Sequence, residues 1–236
     1  MKLLIVSTST IHGSGYLEYI LDEVADFFGP AKNIVFIPYA RPSGITHDEY
    51  TTLARDKFAL RGYNVTGIHE ADDPAQALRD ADGIFTGGGN TFVLLRALYE
   101  NGLVPVLREL IREGKPYMGT SAGSNITGLT VGTTNDMPIV YPPSFDALQL
   151  VPFNLNPHYL DPDPNSTHKG ETRETRIKEF HHFNAQPVVG LREGSWLRLE
   201  NNALELKGPL SARIFLAGKP ATEQQPGDVS FLMNHP

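Results

Sequence analysis

The first half of the chain alternates short apolar runs with amphipathic stretches of helical period. Residues 3–7 predict a strand, and the loop after it holds Gly13 and Gly15. Leu17, Ile20, Leu21, Val24, Phe27 and Phe28 then recur at helical spacing, predicting a helix that Gly29-Pro30 ends. Residues 34–39 read as a second strand. Thr46-His47-Asp48-Glu49 fits a capping box, so a second helix opens there and closes at Gly62. A third strand is expected over 65–68, a short helix over 74–81, and a fourth strand over 84–86 that runs into Gly87-Gly88-Gly89-Asn90. Helices follow over 91–100 and 104–113, and Tyr117-Met118-Gly119 is a strand leading into Thr120-Ser121. Such alternation, with near-continuous apolar strands, predicts an α/β fold: a mostly parallel central sheet with helices on both faces.

Beyond about Thr133 the pattern loosens. Tyr141-Pro142-Pro143 and residues 157–166 are loop-rich, and one amphipathic helix stands alone over 171–183. Short strands over 188–191, 196–199, 204–206 and 214–216 read as antiparallel hairpins near the C-terminus. With no internal repeat, low-complexity segment or clear linker, residues 1–236 are expected to form one domain.

Composition narrows the function. The 236 residues are 40% hydrophobic and 20% charged, ordinary for a soluble globular protein. A formal net charge of -7 and dispersed basic residues argue against a nucleic-acid partner. Arg173, Arg176 and Lys178, the nearest thing to a basic cluster, are interleaved with Glu171, Glu174 and Glu179. The absence of cysteine excludes disulfides, thiolate metal ligands and a cysteine nucleophile. The N-terminal apolar run is too short for a signal peptide, and no stretch approaches the ~20 apolar residues of a membrane span. A soluble, cytoplasmic protein with no membrane partner is expected.

Gly119-Thr120-Ser121-Ala122-Gly123 is a G-x-S-x-G pentapeptide between a strand and an apparent helix start, the setting of a nucleophile elbow. There the N–H of Ala122 can stabilise a negative oxygen. The triple-glycine loop also joins a strand to a helix, so it should share the sheet edge with Ser121 and supply a second amide. A serine needs a base. His158, after Phe153-Asn154-Leu155-Asn156-Pro157, is the best placed of the eight histidines. No H-E-x-x-H occurs, and the adjacent His181 and His182 cannot share a helix face, so no metal site is expected. Asp136, Asp146, Asp161 and Glu193 are all candidates to orient the histidine, and spacing does not choose among them.

The chain strongly resembles the peptidase E family, the α-aspartyl dipeptidases among serine peptidases. The resemblance is carried by Gly87 to Phe92, Gly119 to Gly123, Thr133 to Val140, Asn156-Pro157-His158 and Gly170 to Glu174, and extends to Leu191-Arg192-Glu193-Gly194. It implies a class I glutamine-amidotransferase-like α/β fold with serine in place of that superfamily's cysteine. It implies Ser121 as nucleophile, His158 as base and then acid, and Glu193 as orienting carboxylate, with Asp136 the alternative. It implies an oxyanion hole from the amides of Gly88 and Ala122. Substrate is expected at Asn90 and at Arg173, whose guanidinium suits the side-chain carboxylate of an N-terminal aspartate. No cofactor is implied, the partner is a small Asp-X dipeptide, and a homodimer is possible. Three rivals stand beside this reading: a cyanophycinase-like hydrolase of β-aspartyl links, an α/β-hydrolase-type esterase, and a non-catalytic aspartate-binding protein.

Overall fold

In the computed structural model, which describes residues 1–163, 165, 167 and 170–234, two sheets share one apolar core. The N-terminal half builds β1 (Leu3–Val6), α1 (Leu21–Phe28), β2 (Asn33–Ile37), α2 (His47–Ala59), β3 (Asn64–Gly67), α3 (Pro74–Asp80) and β4 (Gly83–Thr86). Then come α4 (Thr91–Glu100), α5 (Leu103–Arg112), β5 (Tyr117–Thr120) and the short α6 (Ala122–Asn125). Strands β3, β2, β4, β5 and β1 lie side by side, all parallel.

Alternate residues of these strands feed opposite faces, as the period of two demands. Leu3 and Ile5 join a cluster with Leu78 of α3, Leu94 of α4 and Leu107 of α5, whereas Leu4 and Val6 join Phe27 of α1 and Tyr50 and Phe58 of α2. Helices therefore cover both faces, as the apolar runs predict. The expected capping box is present: Thr46 Oγ1 accepts from Glu49 N while Glu49 accepts from Thr46 N. The first helix begins later than its periodicity suggests. Leu17 sits at φ 55° in a loop pinned by its N–H to the Ser9 carbonyl, and a 3-10 turn over Glu18–Ile20 precedes α1.

The C-terminal half departs further from expectation. It builds β6 (Asn154–Pro157), α7 (Arg173–Phe180), β7 (Val188–Leu191), β8 (Trp196–Glu200), β9 (Ala203–Lys207), β10 (Ala212–Phe215), β11 (Thr222–Gln224) and β12 (Gly227–Asp228). The pair β8–β9 is a hairpin, turning at Asn201 and Asn202 with positive φ, and extends the main sheet antiparallel to β1. Strand β7 is not part of a hairpin with β8. It is buried along its whole length and lies in a second sheet of order β11-β10-β7-β6, parallel to β6 and antiparallel to β10. One face of this sheet joins the cluster of Leu3 and Ile5 through Leu155, Val189 and Ile214, and the other packs Val188 and Phe215 with Ile177 of α7. Among the described residues no helix is long and apolar enough to cross a membrane.

Candidate active site

The C-terminal ends of β1, β4 and β5 in the first sheet and of β6 and β7 in the second converge on Ser121. The serine follows β5 with φ 51° and ψ -108°, a backbone conformation that side chains other than glycine rarely adopt. The turn is held by close backbone approach. A Cβ on Gly119 would lie 2.2 Å from the Gly123 carbonyl oxygen, and one on Gly123 would lie 2.3 Å from that of Thr86. Both flanking glycines of the pentapeptide are thus required by contact, and Ser124 Oγ, 2.7 Å from the carbonyl oxygens of Val6 and Gly119, ties the elbow to β1.

His158 follows β6, and Glu193 lies two residues beyond β7. The parallel register of Pro157 with Leu191 brings the two loops level. Nε2 of His158 lies 2.9 Å from Ser121 Oγ, and Nδ1 lies 2.7 Å from Glu193 Oε1. A carboxylate only accepts, so Nδ1 carries the ring proton and Nε2 is left to accept from the serine hydroxyl. Such a chain can draw the hydroxyl proton onto the imidazole as the oxygen attacks, while the carboxylate stabilises the imidazolium.

The remaining candidates separate. Asp136, the alternative third member, is not bonded to His158. Its Oδ2 accepts from Thr91 N at 2.7 Å and from Thr134 Oγ1 at 3.1 Å, because the first amides of α4 need acceptors. Asn90, where substrate is expected, also holds the start of α4. Its Oδ1 caps α4 through Phe92 N and Val93 N, and its Nδ2 donates to Met137 O. The Gly88 amide also differs from expectation: it donates to the hydroxyl of Tyr50 at 2.9 Å, a buried phenol of α2 that needs a partner. The glycine still abuts the nucleophile, since a Cβ there would lie 2.9 Å from Ser121 Cβ. Ala122 N–H, at the first position of α6, has no intrahelical acceptor, and the Gly89 N–H has no partner among the described residues. Asp161 pairs with Arg192 at 2.8 Å, and Asp146 lies in a bridge to Thr130. His168 and His235 lie outside the described residues.

Arg173 opens α7 and lines one cavity with His158, Tyr159, Asp161, Arg192 and Glu193. Its Nε is buried without a hydrogen-bond partner among the described residues. Burial and then the neighbouring Arg176 lower its pKa, against the pull of Asp136 and Glu193, though a guanidinium stays charged. The half-buried guanidinium therefore lines the same cavity as His158 and Glu193 with no carboxylate partner among the described residues.

Behind the cavity an ionic network braces both loops. Arg192 contacts Asp161 and, at 2.9 Å, Glu223 of β11; Arg213 of β10 joins Glu223 to Glu174 of α7. The hydrogen bonds from Arg192 hold the Glu223 carboxyl at a pKa of about 2. Elsewhere, Asp48, His69 and Glu70 place ligand-type atoms within 4.8 Å of one another, but Arg55 and the Gly67 amide already engage the Glu70 carboxylate.

Known proteins match this chain closely. Residues 3–207 match the family model described as "Peptidase family S51". The chain is 52% identical over 235 residues to "Peptidase E" of Streptomyces coelicolor, covering 99% of this chain and 96% of that one. It is 49% identical over 236 residues to a Drosophila melanogaster protein named "Probable alpha-aspartyl dipeptidase", covering 98% and 97%. Among solved structures, a peptidase from an acI-B1 Actinobacterium superposes with a TM-score of 0.71 over 95% of this chain and 93% of that one, at 19% identity. At that identity the likeness speaks for the fold.

Proposed function

This chain belongs to peptidase family S51, and from that premise we propose that it is a serine dipeptidase that removes N-terminal aspartate from Asp-X dipeptides. The observation that carries the reading is His158, bridging Ser121 Oγ at 2.9 Å and Glu193 Oε1 at 2.7 Å. In the proposed reaction Ser121 Oγ attacks the scissile carbonyl and His158 Nε2 takes its proton. The Glu193 carboxylate holds the imidazole and stabilises its positive charge. Ala122 N–H, with an amide of the triple-glycine loop whose Gly88 abuts Ser121, takes the oxyanion. Collapse of the tetrahedral intermediate breaks the C–N bond, and His158 returns the proton to the departing amine of residue X. Water then adds to the aspartyl ester, giving its proton to the same imidazole, and aspartate leaves as Ser121 recovers its hydrogen.

Arg173 supplies the preference for aspartate. A partly desolvated guanidinium with no carboxylate partner among the described residues is best satisfied by a substrate carboxylate, and a neutral side chain leaves it unpaired. The name of the Drosophila relative agrees with that preference.

The test is the rate of aspartate release from Asp-Leu, β-Asp-Leu and N-acetyl-Asp-Leu. Cleavage of Asp-Leu well ahead of the other two is expected. Preference for the β-linked peptide would move the protein to isopeptide hydrolysis, and aspartate binding without turnover of any of them would make it a binding protein.

A further inference from the structure

The two reacting side chains hang from consecutive residues of one strand end. Val6 closes β1, and its carbonyl oxygen accepts the N–H of Ser121 at 3.1 Å. Ser7 follows, fully buried, and its Oγ accepts the N–H of His158 at 3.0 Å while donating to the carbonyl of Leu191 at 2.7 Å. Ser121 and His158 both sit at positive φ, 51° and 54°, where a residue with a side chain persists only if its surroundings hold it. For His158 the holding group at its own amide is the Ser7 hydroxyl.

The same hydroxyl also reaches the acid. Leu191 ends β7 two residues before Glu193, and its carbonyl accepts from Tyr159 N as well as from Ser7. One buried hydroxyl therefore fastens the backbone of the base to the strand that carries the acid, and both to the strand that anchors the nucleophile. Because β1 belongs to the first sheet and β6 and β7 to the second, Ser7 fixes the side-chain geometry across the junction of the two.

We propose that Ser7 is a positioning residue for the hydrolytic reaction, setting His158 within reach of Ser121 and Glu193 by accepting the His158 amide and donating to Leu191. The proposal rests on the roles proposed above for Ser121, His158 and Glu193. Ser7 itself has no exposed surface and does not touch substrate. Its loss should therefore act on the reacting geometry, where a displacement of about 1 Å can cost ~10²-fold, and not on binding.

The experiment compares wild type with Ser7→Ala, Ser7→Cys and Tyr63→Phe. The cysteine is slightly larger but leaves no cavity and is a weak donor and acceptor, so it serves if the alanine variant fails to fold. Tyr63, whose hydroxyl donates to the carbonyls of Ala25 and Gly29, controls for losing buried hydrogen bonds far from the site. Each variant is measured for melting temperature, for kcat and KM on Asp-Leu, and for the second-order rate at which a fluorophosphonate labels Ser121. Both Ser7 variants are expected to lose roughly 10- to 10²-fold in kcat and in labelling rate, with KM within about twofold, while Tyr63→Phe keeps wild-type rates. Wild-type labelling by a folded Ser7 variant, or a loss in Tyr63→Phe equal to that in the Ser7 variants, would overturn the proposal. Labelling does not depend on the dipeptide, so a wild-type protein inert toward Asp-Leu would defeat the substrate assignment and leave the role of Ser7 still decided by the labelling rates.

Discussion

Glu193 Oε1 lies 2.7 Å from Nδ1 of His158, whose other ring nitrogen meets Ser121 Oγ at 2.9 Å. No other carboxylate among the described residues is hydrogen-bonded to that imidazole, and Asp136 is turned instead to the start of α4. Glu193→Gln should therefore lower kcat by roughly 10²- to 10⁴-fold, since an amide no longer enforces the tautomer or stabilises the imidazolium. Asp136→Asn should cost about 1 kcal/mol of stability through the weakened helix start, while fluorophosphonate labelling of Ser121 stays near the wild-type rate. Labelling kinetics and thermal melts on the two variants check the contrast. A collapse of labelling in Asp136→Asn alone would exchange their roles.

The elbow leaves no room for a methyl group at either flanking glycine. Gly123→Ala would drive a Cβ to 2.3 Å from a backbone carbonyl of β4, which cannot yield as a flexible side chain would. A melting temperature lower by roughly 3–10 °C is expected, together with loss of Ser121 labelling. Scanning calorimetry and labelling on the same sample test both effects.

Arg173→Ala should remove the discrimination rather than the chemistry. Its kcat/KM for Asp-Leu should fall by roughly 10² or more, with little change for Asn-Leu, so that the two substrates converge. Arg173→Lys should recover only part of the difference, because an ammonium does not match the planar carboxylate. Competition between the two dipeptides in one reaction reads the ratio directly.

Glu223 predicts a stability change in acid. Its folded pKa is depressed from 4.5 to about 2, chiefly by its hydrogen bonds to Arg192. A depressed carboxyl stabilises the fold above its unfolded pKa and loses that contribution as pH falls through the folded value. Wild type should thus melt above Glu223→Gln near neutrality, and the gap should close between about pH 4.5 and pH 2. The gap should be modest, because the Glu223 side chain is 36% exposed and solvent screens its pairs. Melting curves across that range decide it, and a gap independent of pH would contradict the pairing.

Much of this arrangement is legible in the chain itself, where local pattern and local chemistry agree. Four of the five parallel strands follow from apolar runs whose odd and even residues both need burial, edge strand β3 alternates instead, and the elbow follows from two glycines around a serine at a strand end. His158 is recognisable as a loop histidine after a strand. Glu193 is reached only by resemblance, because nothing in its spacing from Ser121 sets it apart from three aspartates. The second sheet is not legible, since β7 pairs with β6 and β10 rather than with its neighbour β8, and short apolar strands do not announce distant partners. Asn90 is ambiguous in the sequence because a helix cap and a ligand contact call for the same residue type. Ser7 and Tyr50 carry no local signal at all: their contacts to His158, Leu191 and Gly88 span 151, 184 and 38 residues.

The most direct test of the central claim is the initial rate of amino-acid release from Asp-Leu and Asn-Leu by wild type and by Ser121→Ala. The account predicts rapid release of aspartate by wild type, far slower release of asparagine, and neither from the variant. Undiminished turnover by Ser121→Ala, or equal rates on the two dipeptides, would contradict it.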